Sequence, residues 1–83
     1  MAYTLTEHAR SAMQKRGIRL AWLERALAEP GWREPDAVDC QLEHRLAIIS
    51  EFGDRVLRVI VNTEADPERV VTMYFDRRLR GGR

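Results

Sequence analysis

His8, Arg16, Arg58 and Tyr74 are the side chains of this 83-residue sequence whose types suit work on a phosphate or a similar anion. An imidazole changes charge near neutrality, so His8 could give or take a proton. The planar guanidinium of Arg16 or Arg58 can hold two oxygens at once, and Tyr74 offers a hydroxyl or a stacking face. Arg45, Asp76, Arg77 and Arg78 form a second group, three cations and one acid suited to contacts along a phosphate backbone. Each candidate has a structural alternative. His8 could brace two helices, Arg16 could favour a helix C-terminus, and Arg58 could simply stack on Tyr74 across neighbouring strands.

These residues must be positioned by elements that the sequence patterns suggest. In "TLTEHARSAMQKRG", Thr4 and Glu7 have the spacing of a capping box, Thr6 is a second candidate N-cap, and Gly17 suits the left-handed residue that ends a helix. Leu5, Ala9, Ala12 and Met13 then form one apolar stripe, with Arg16 near its middle and His8 on its shoulder. "IRLAWLERALAEPG" repeats the helical spacing with Leu20, Leu23 and Leu27 on one side, and Pro30-Gly31 stops it. "WREPDAVDC" reads as a loop or a short edge strand, since Pro35 is out of place in a central strand.

"EHRLAIISEFGDRVLRVIVNTEADPERVVTMYFDRR" carries alternating β-branched runs separated by turn signals at Phe52-Gly53-Asp54 and Ala65-Asp66-Pro67, which predicts three antiparallel strands. Leu57, Val59 and Val61 point one way in the middle strand. Val71, Met73 and Phe75 are expected together in the last, with Val70, Thr72, Tyr74 and Asp76 on the reverse. The expected fold is α+β, an N-terminal helical hairpin covering the apolar face of a three- to four-stranded antiparallel sheet, with Arg58, Thr72 and Tyr74 on the far face. One domain over residues 1–83 is expected, with 77–83 as a flexible basic tail.

Composition sets further bounds. With 45% hydrophobic and 33% charged residues the chain has the balance of a globular domain, and Val59-Ile60-Val61 is far short of a membrane span, so no membrane partner is expected. Without a charged-then-apolar leader pattern, the expected compartment is the cytoplasm. Cys40 is the single cysteine and the two histidines are far apart in sequence, which makes no metal-ligand pattern, so neither metal nor cofactor is expected. The formal net charge of +1 hides an acidic stretch from Glu24 to Glu43 and a basic end from Asp76 to Arg83. Thirteen of the fourteen basic side chains are arginine, either a feature of phosphate recognition or a compositional bias.

The segments "TEHARSAMQKRGI", "ALAEPGW", "HRL", "RVLRVIVN" and "VVTMYFDRR" together resemble the DUF4258 family of small bacterial proteins over about residues 3–79. That resemblance implies the RelE/ParE-like fold group, which includes messenger-RNA-cleaving toxins, and a layout similar to the BrnT toxins. It also implies an activity: metal-independent endoribonuclease cleavage, in which the ribose 2′-OH attacks the adjacent phosphate. His8, Arg16, Arg58 and Tyr74 are then the expected catalytic residues, and Arg45, Asp76, Arg77 and Arg78 the RNA contacts. The implied partners are RNA, including ribosome-bound mRNA, and an antitoxin protein; separately, an exposed edge strand in so small a domain suggests a second copy in a homodimer. Two other readings stand beside it: a non-catalytic protein- or nucleic-acid-interaction module, and a helix-turn-helix across Gly17 that Glu24 and Glu29 disfavour.

Overall fold

The computed structural model describes residues 3–80 of the chain, apart from the side chain of Arg80. The elements run β1 (Tyr3–Leu5), α1 (Glu7–Lys15), α2 (Leu20–Ala28), β2 (Trp32–Pro35), β3 (Leu42–Ile49), a 3-10 turn (Ser50–Phe52), β4 (Arg55–Asn62) and β5 (Glu68–Arg80). The α+β class and the two N-terminal helices agree with the sequence reading, and so does the placing of Trp32–Pro35 at a sheet edge. The sheet itself differs. It has five strands in the order β1-β5-β4-β3-β2 and is mixed, because β1 runs parallel to β5 while the other pairs are antiparallel.

β1 was hidden by its own residues. Thr4 lies in the strand, and Thr6 is the N-cap of α1. Three residues are too few to show a period of two, and only the pairing of Tyr3 with Glu68 and Leu5 with Val70 makes them a strand. Thr6 then fastens strand to helix. Its Oγ1 accepts from the Ala9 N–H at 3.0 Å and donates to the Val71 carbonyl at 3.0 Å. Thr6→Ala should therefore cost about 1–2 kcal/mol, from the lost cap and the lost link to β5, while Thr6→Ser retains most of it; thermal unfolding followed by circular dichroism reads both.

Each helix packs on the sheet separately, α1 against β5 and α2 against β3 and β4. Ala9 and Ala12 are buried under α1, where small side chains let its backbone approach β5. From α2, Trp22, Leu23, Ala26 and Leu27 meet Ile49, Leu57, Val59 and Met73 in one core. Leu20, expected on the packed side, is the first helical residue and is exposed, and Trp22 fills that role.

Two irregularities between β4 and β5 change which side chains face inward. Ile60 pairs with Thr72 but Val61 pairs with Val70, so Val71 is an extra residue on β5. Val70, not Val71, consequently joins Met73 in the core. Further along, Val56 pairs with Asp76 and Arg55 with Arg80, which leaves 77–79 outside the regular ladder. Residues 77–80 thus continue β5 rather than forming the expected tail; 81–83 of that tail lie outside the described residues.

Candidate nucleic-acid interface

At the rim of the sheet, Lys15, Arg16, Arg55, Tyr74, Phe75 and Arg77 line an open groove of about 450 Å³. Three separate segments supply it. Arg16 is the C-cap of α1, with φ −96° and ψ 1°; its N–H bonds the Ala12 carbonyl, and the Gly17 N–H bonds the Gln14 carbonyl. Arg16 is exposed there rather than covered with the apolar stripe. Gly17 follows in the left-handed conformation, at φ 63°, as its position predicts. Arg55 opens β4, and Arg77 begins the irregular segment of β5.

Tyr74 and Phe75 are consecutive on a strand, so they belong to opposite faces of the sheet. Both reach the groove because it lies at an edge: β1 pairs with β5 only as far as Val70, and beyond that no strand among the described residues flanks β5 on this side. Phe75 joins Phe52 and Trp22 in an aromatic cluster, with ring centroids 5.1 and 6.0 Å away. The Arg55 guanidinium lies over the Phe52 ring, 4.7 Å from its centroid. A smaller hollow of about 160 Å³ adjoins the groove, lined by Arg55, Phe75, Asp76, Arg77 and Leu79.

Arg58 has a different task. It pairs across from Tyr74 on the far face as expected, yet its side chain is buried. Nε donates to Asp76 Oδ2 at 3.0 Å, Nη2 lies 2.8 Å from the same oxygen in the ion pair, and Nη1 reaches Glu34 Oε1 at 3.1 Å and His44 Nδ1 at 2.7 Å. Arginine has no acceptor, so His44 Nδ1 must carry the lone pair and its proton sits on Nε2, directed at Asp36 Oδ1 2.8 Å away. Glu34, His44, Arg58 and Asp76 come one from each of β2, β3, β4 and β5. The result is a polar ladder that ties four adjacent strands together on the face the helices do not cover.

Hydrogen bonds shift the acids of this ladder. Asp76 is held down at about 2, chiefly by the Arg78 side chain; burial opposes this, and the Arg78 N–H and the Arg58 guanidinium lower it further. Asp36 is also lowered to about 2, first by the Asp39 N–H and then by His44 and the Val38 N–H. A carboxyl whose folded value lies below its unfolded one stabilises the fold fully above the unfolded value, near 4, and loses that contribution as pH falls towards the folded one. Wild-type protein should therefore lose stability between pH ~4 and ~2, and Asp76→Asn should flatten that loss in a pH series of denaturant titrations.

The candidate residues thus separate. Arg16, Tyr74 and Arg77 meet in the groove, while Arg58, Asp76 and Arg78 belong to the ladder. Arg45 sits on the helix-covered face. It is buried, pairs with Glu43 at 2.8 Å and with both oxygens of Glu68 at 3.0 and 2.9 Å, and donates to the Leu27 carbonyl at the end of α2 at 3.4 Å. Its fork is engaged within the fold. His8 is exposed in the first turn of α1, roughly 12 Å along the helix axis from Arg16 at about 1.5 Å per residue, and does not line the groove. Sequence reasoning passed over Lys15, Arg55 and Phe75 in the groove, and Glu34 in the ladder. The spacing of Lys15 beside Arg16 was the one available signal; nothing local marked Arg55.

Among the described residues no group of His, Cys, Asp and Glu is arranged to hold a metal ion, and no helix is long and apolar enough to cross a membrane. Fold and site together define a small α+β protein, two helices on a mixed five-stranded sheet with a cationic groove at one rim. The chain belongs to the DUF4258 family, a domain of unknown function, whose model matches residues 5–75. That span contains every groove residue except Arg77. Neither the curated proteins nor the solved structures gave a match.

Proposed function

We propose that the groove binds the backbone of single-stranded RNA and that the protein is a metal-independent, toxin-like endoribonuclease of the RelE/ParE-like group. The observation that carries this reading is the gathering of four cationic side chains around Tyr74 and Phe75. Guanidinium and ammonium groups suit phosphates, and the aromatic faces suit unpaired bases. In the reaction the 2′-oxygen forms a bond to the adjacent phosphorus, the bond from phosphorus to the 5′-oxygen breaks, and a 2′,3′-cyclic phosphate remains. Arg16, Arg55 and Arg77 stabilise the charge that gathers on the non-bridging oxygens. The 2′-OH proton passes to water in the open groove, and the Tyr74 hydroxyl protonates the departing 5′-oxygen.

One feature favours a second reading, RNA binding without cleavage: among the described residues lining the groove there is no histidine and no carboxylate. The deciding experiment incubates purified protein with a defined transcript in EDTA, with and without ribosomes, and analyses the product ends. Cleavage leaving cyclic phosphate and 5′-hydroxyl ends, abolished in Arg16→Ala/Arg77→Ala, at least tenfold slower in Tyr74→Phe and unchanged in His8→Ala, supports the nuclease. Binding without cleavage moves the protein to the second reading, and loss in His8→Ala alone would return the reaction to the far end of α1.

A further inference from the structure

The hollow beside the groove has walls unlike those of a backbone site. Phe75 and Leu79 are apolar, and Arg55 and Arg77 are shared with the groove, so a strand lying in one meets the opening of the other. Its acid is already spent. Asp76 is 4% exposed, with Oδ2 receiving Arg58 and Oδ1 receiving the Arg78 N–H, so among the described lining residues the side-chain polar groups left to a ligand are guanidinium donors. The hollow is also built into the fold. Residues 77–79 leave the β4–β5 ladder between the Val56–Asp76 and Arg55–Arg80 pairs, and that departure sets Arg77 and Leu79 around it. Arg55 is held from behind by the Phe52 ring at 4.7 Å, which restricts the direction in which its fork opens.

We propose that this hollow is a base-recognition subsite that takes a guanine of the bound RNA. The inference rests on the reading of the groove as an RNA site. Guanine presents two adjacent acceptors, O6 and N7, which an arginine fork meets with two hydrogen bonds, whereas adenine places an N6 amino donor beside N7 and faces the fork with a like group. Phe75 supplies an apolar aromatic wall, against which a purine packs more surface than a pyrimidine.

The test measures fluorescence anisotropy of short oligouridine RNAs carrying one central guanosine, adenosine, cytidine or 7-deazaguanosine. The guanosine oligomer should bind about tenfold more tightly than the others, with 7-deazaguanosine losing most of that preference because N7 is gone. Leu79→Trp, which fills the hollow, should bring the guanosine oligomer down to the affinity of plain oligouridine while leaving oligouridine binding unchanged. Phe52→Leu should reduce the preference and Phe52→Tyr restore it. Equal binding of all four oligomers by wild-type protein overturns the guanine subsite and leaves the groove intact. Failure to bind any of them overturns the groove as well.

Discussion

Arg58→Ala should destabilise the protein by about 3–5 kcal/mol, the usual cost of leaving the other half of a buried ion pair alone. The side chains of Arg58 and Asp76 are 8% and 3% exposed, and truncation leaves the buried Asp76 carboxylate to the exposed Arg78 alone while removing the Glu34 link to β2 and the donor to His44. Against a total stability of roughly 5–15 kcal/mol for a domain, that is enough to leave a measurable unfolded fraction at moderate temperature. Urea titration gives the number directly. A loss below about 1 kcal/mol would mean that the ladder is not what holds the far face. Replacing Arg58 and Asp76 together by apolar residues of similar size should recover much of the loss, since a buried pair repays little more than its own desolvation. Loss of RNA activity in Arg58→Ala would therefore report an unfolded sheet rather than a missing catalytic group.

The second large effect concerns the groove. Lys15→Ala/Arg16→Ala/Arg77→Ala should weaken binding of single-stranded RNA on the order of a hundredfold at low salt, taking about 1 kcal/mol for each exposed contact. Salt dependence gives the sharper readout. Three phosphate contacts in a single strand contribute about 2 to the slope of log affinity against log salt, so the variant's slope should be flatter by about that amount. All three side chains are exposed, and the circular dichroism spectrum and melting temperature of the variant should match wild type. An unchanged slope would remove the groove from the RNA path. Lys15 and Arg55, neither singled out by sequence reasoning, matter here as much as Arg16.

Much of the scaffold was legible because its signals are local. The period of Ala9, Ala12 and Met13, the left-handed stop at Gly17, the break at Pro30-Gly31 and the alternation through Leu57, Val59 and Val61 each depend on residues a few positions apart. Arg58 and Tyr74 share a face on neighbouring strands as alternation predicts, and the register makes them direct partners. What was missed depends on register. The extra residue at Val71 reverses which valine is buried, and the departure of 77–79 turns an expected tail into the wall of a groove. Neither leaves a mark in the alternation pattern, since a bulge is stabilised by what packs on both strands.

Local patterns suffice for the α+β class, the family, the helix boundaries and an arginine-rich composition. Which arginines are free depends on how the strands come together. Arg45 and Arg58 lie in strands as Arg55 does, yet the first two meet carboxylates brought from other strands, while Arg55 rests on an aromatic ring at the rim. The physical reason is that a guanidinium's task is set by the acids within hydrogen-bond reach. Those acids are 18 to 24 residues away along the chain for Arg45 and Arg58, where no sequence spacing records them.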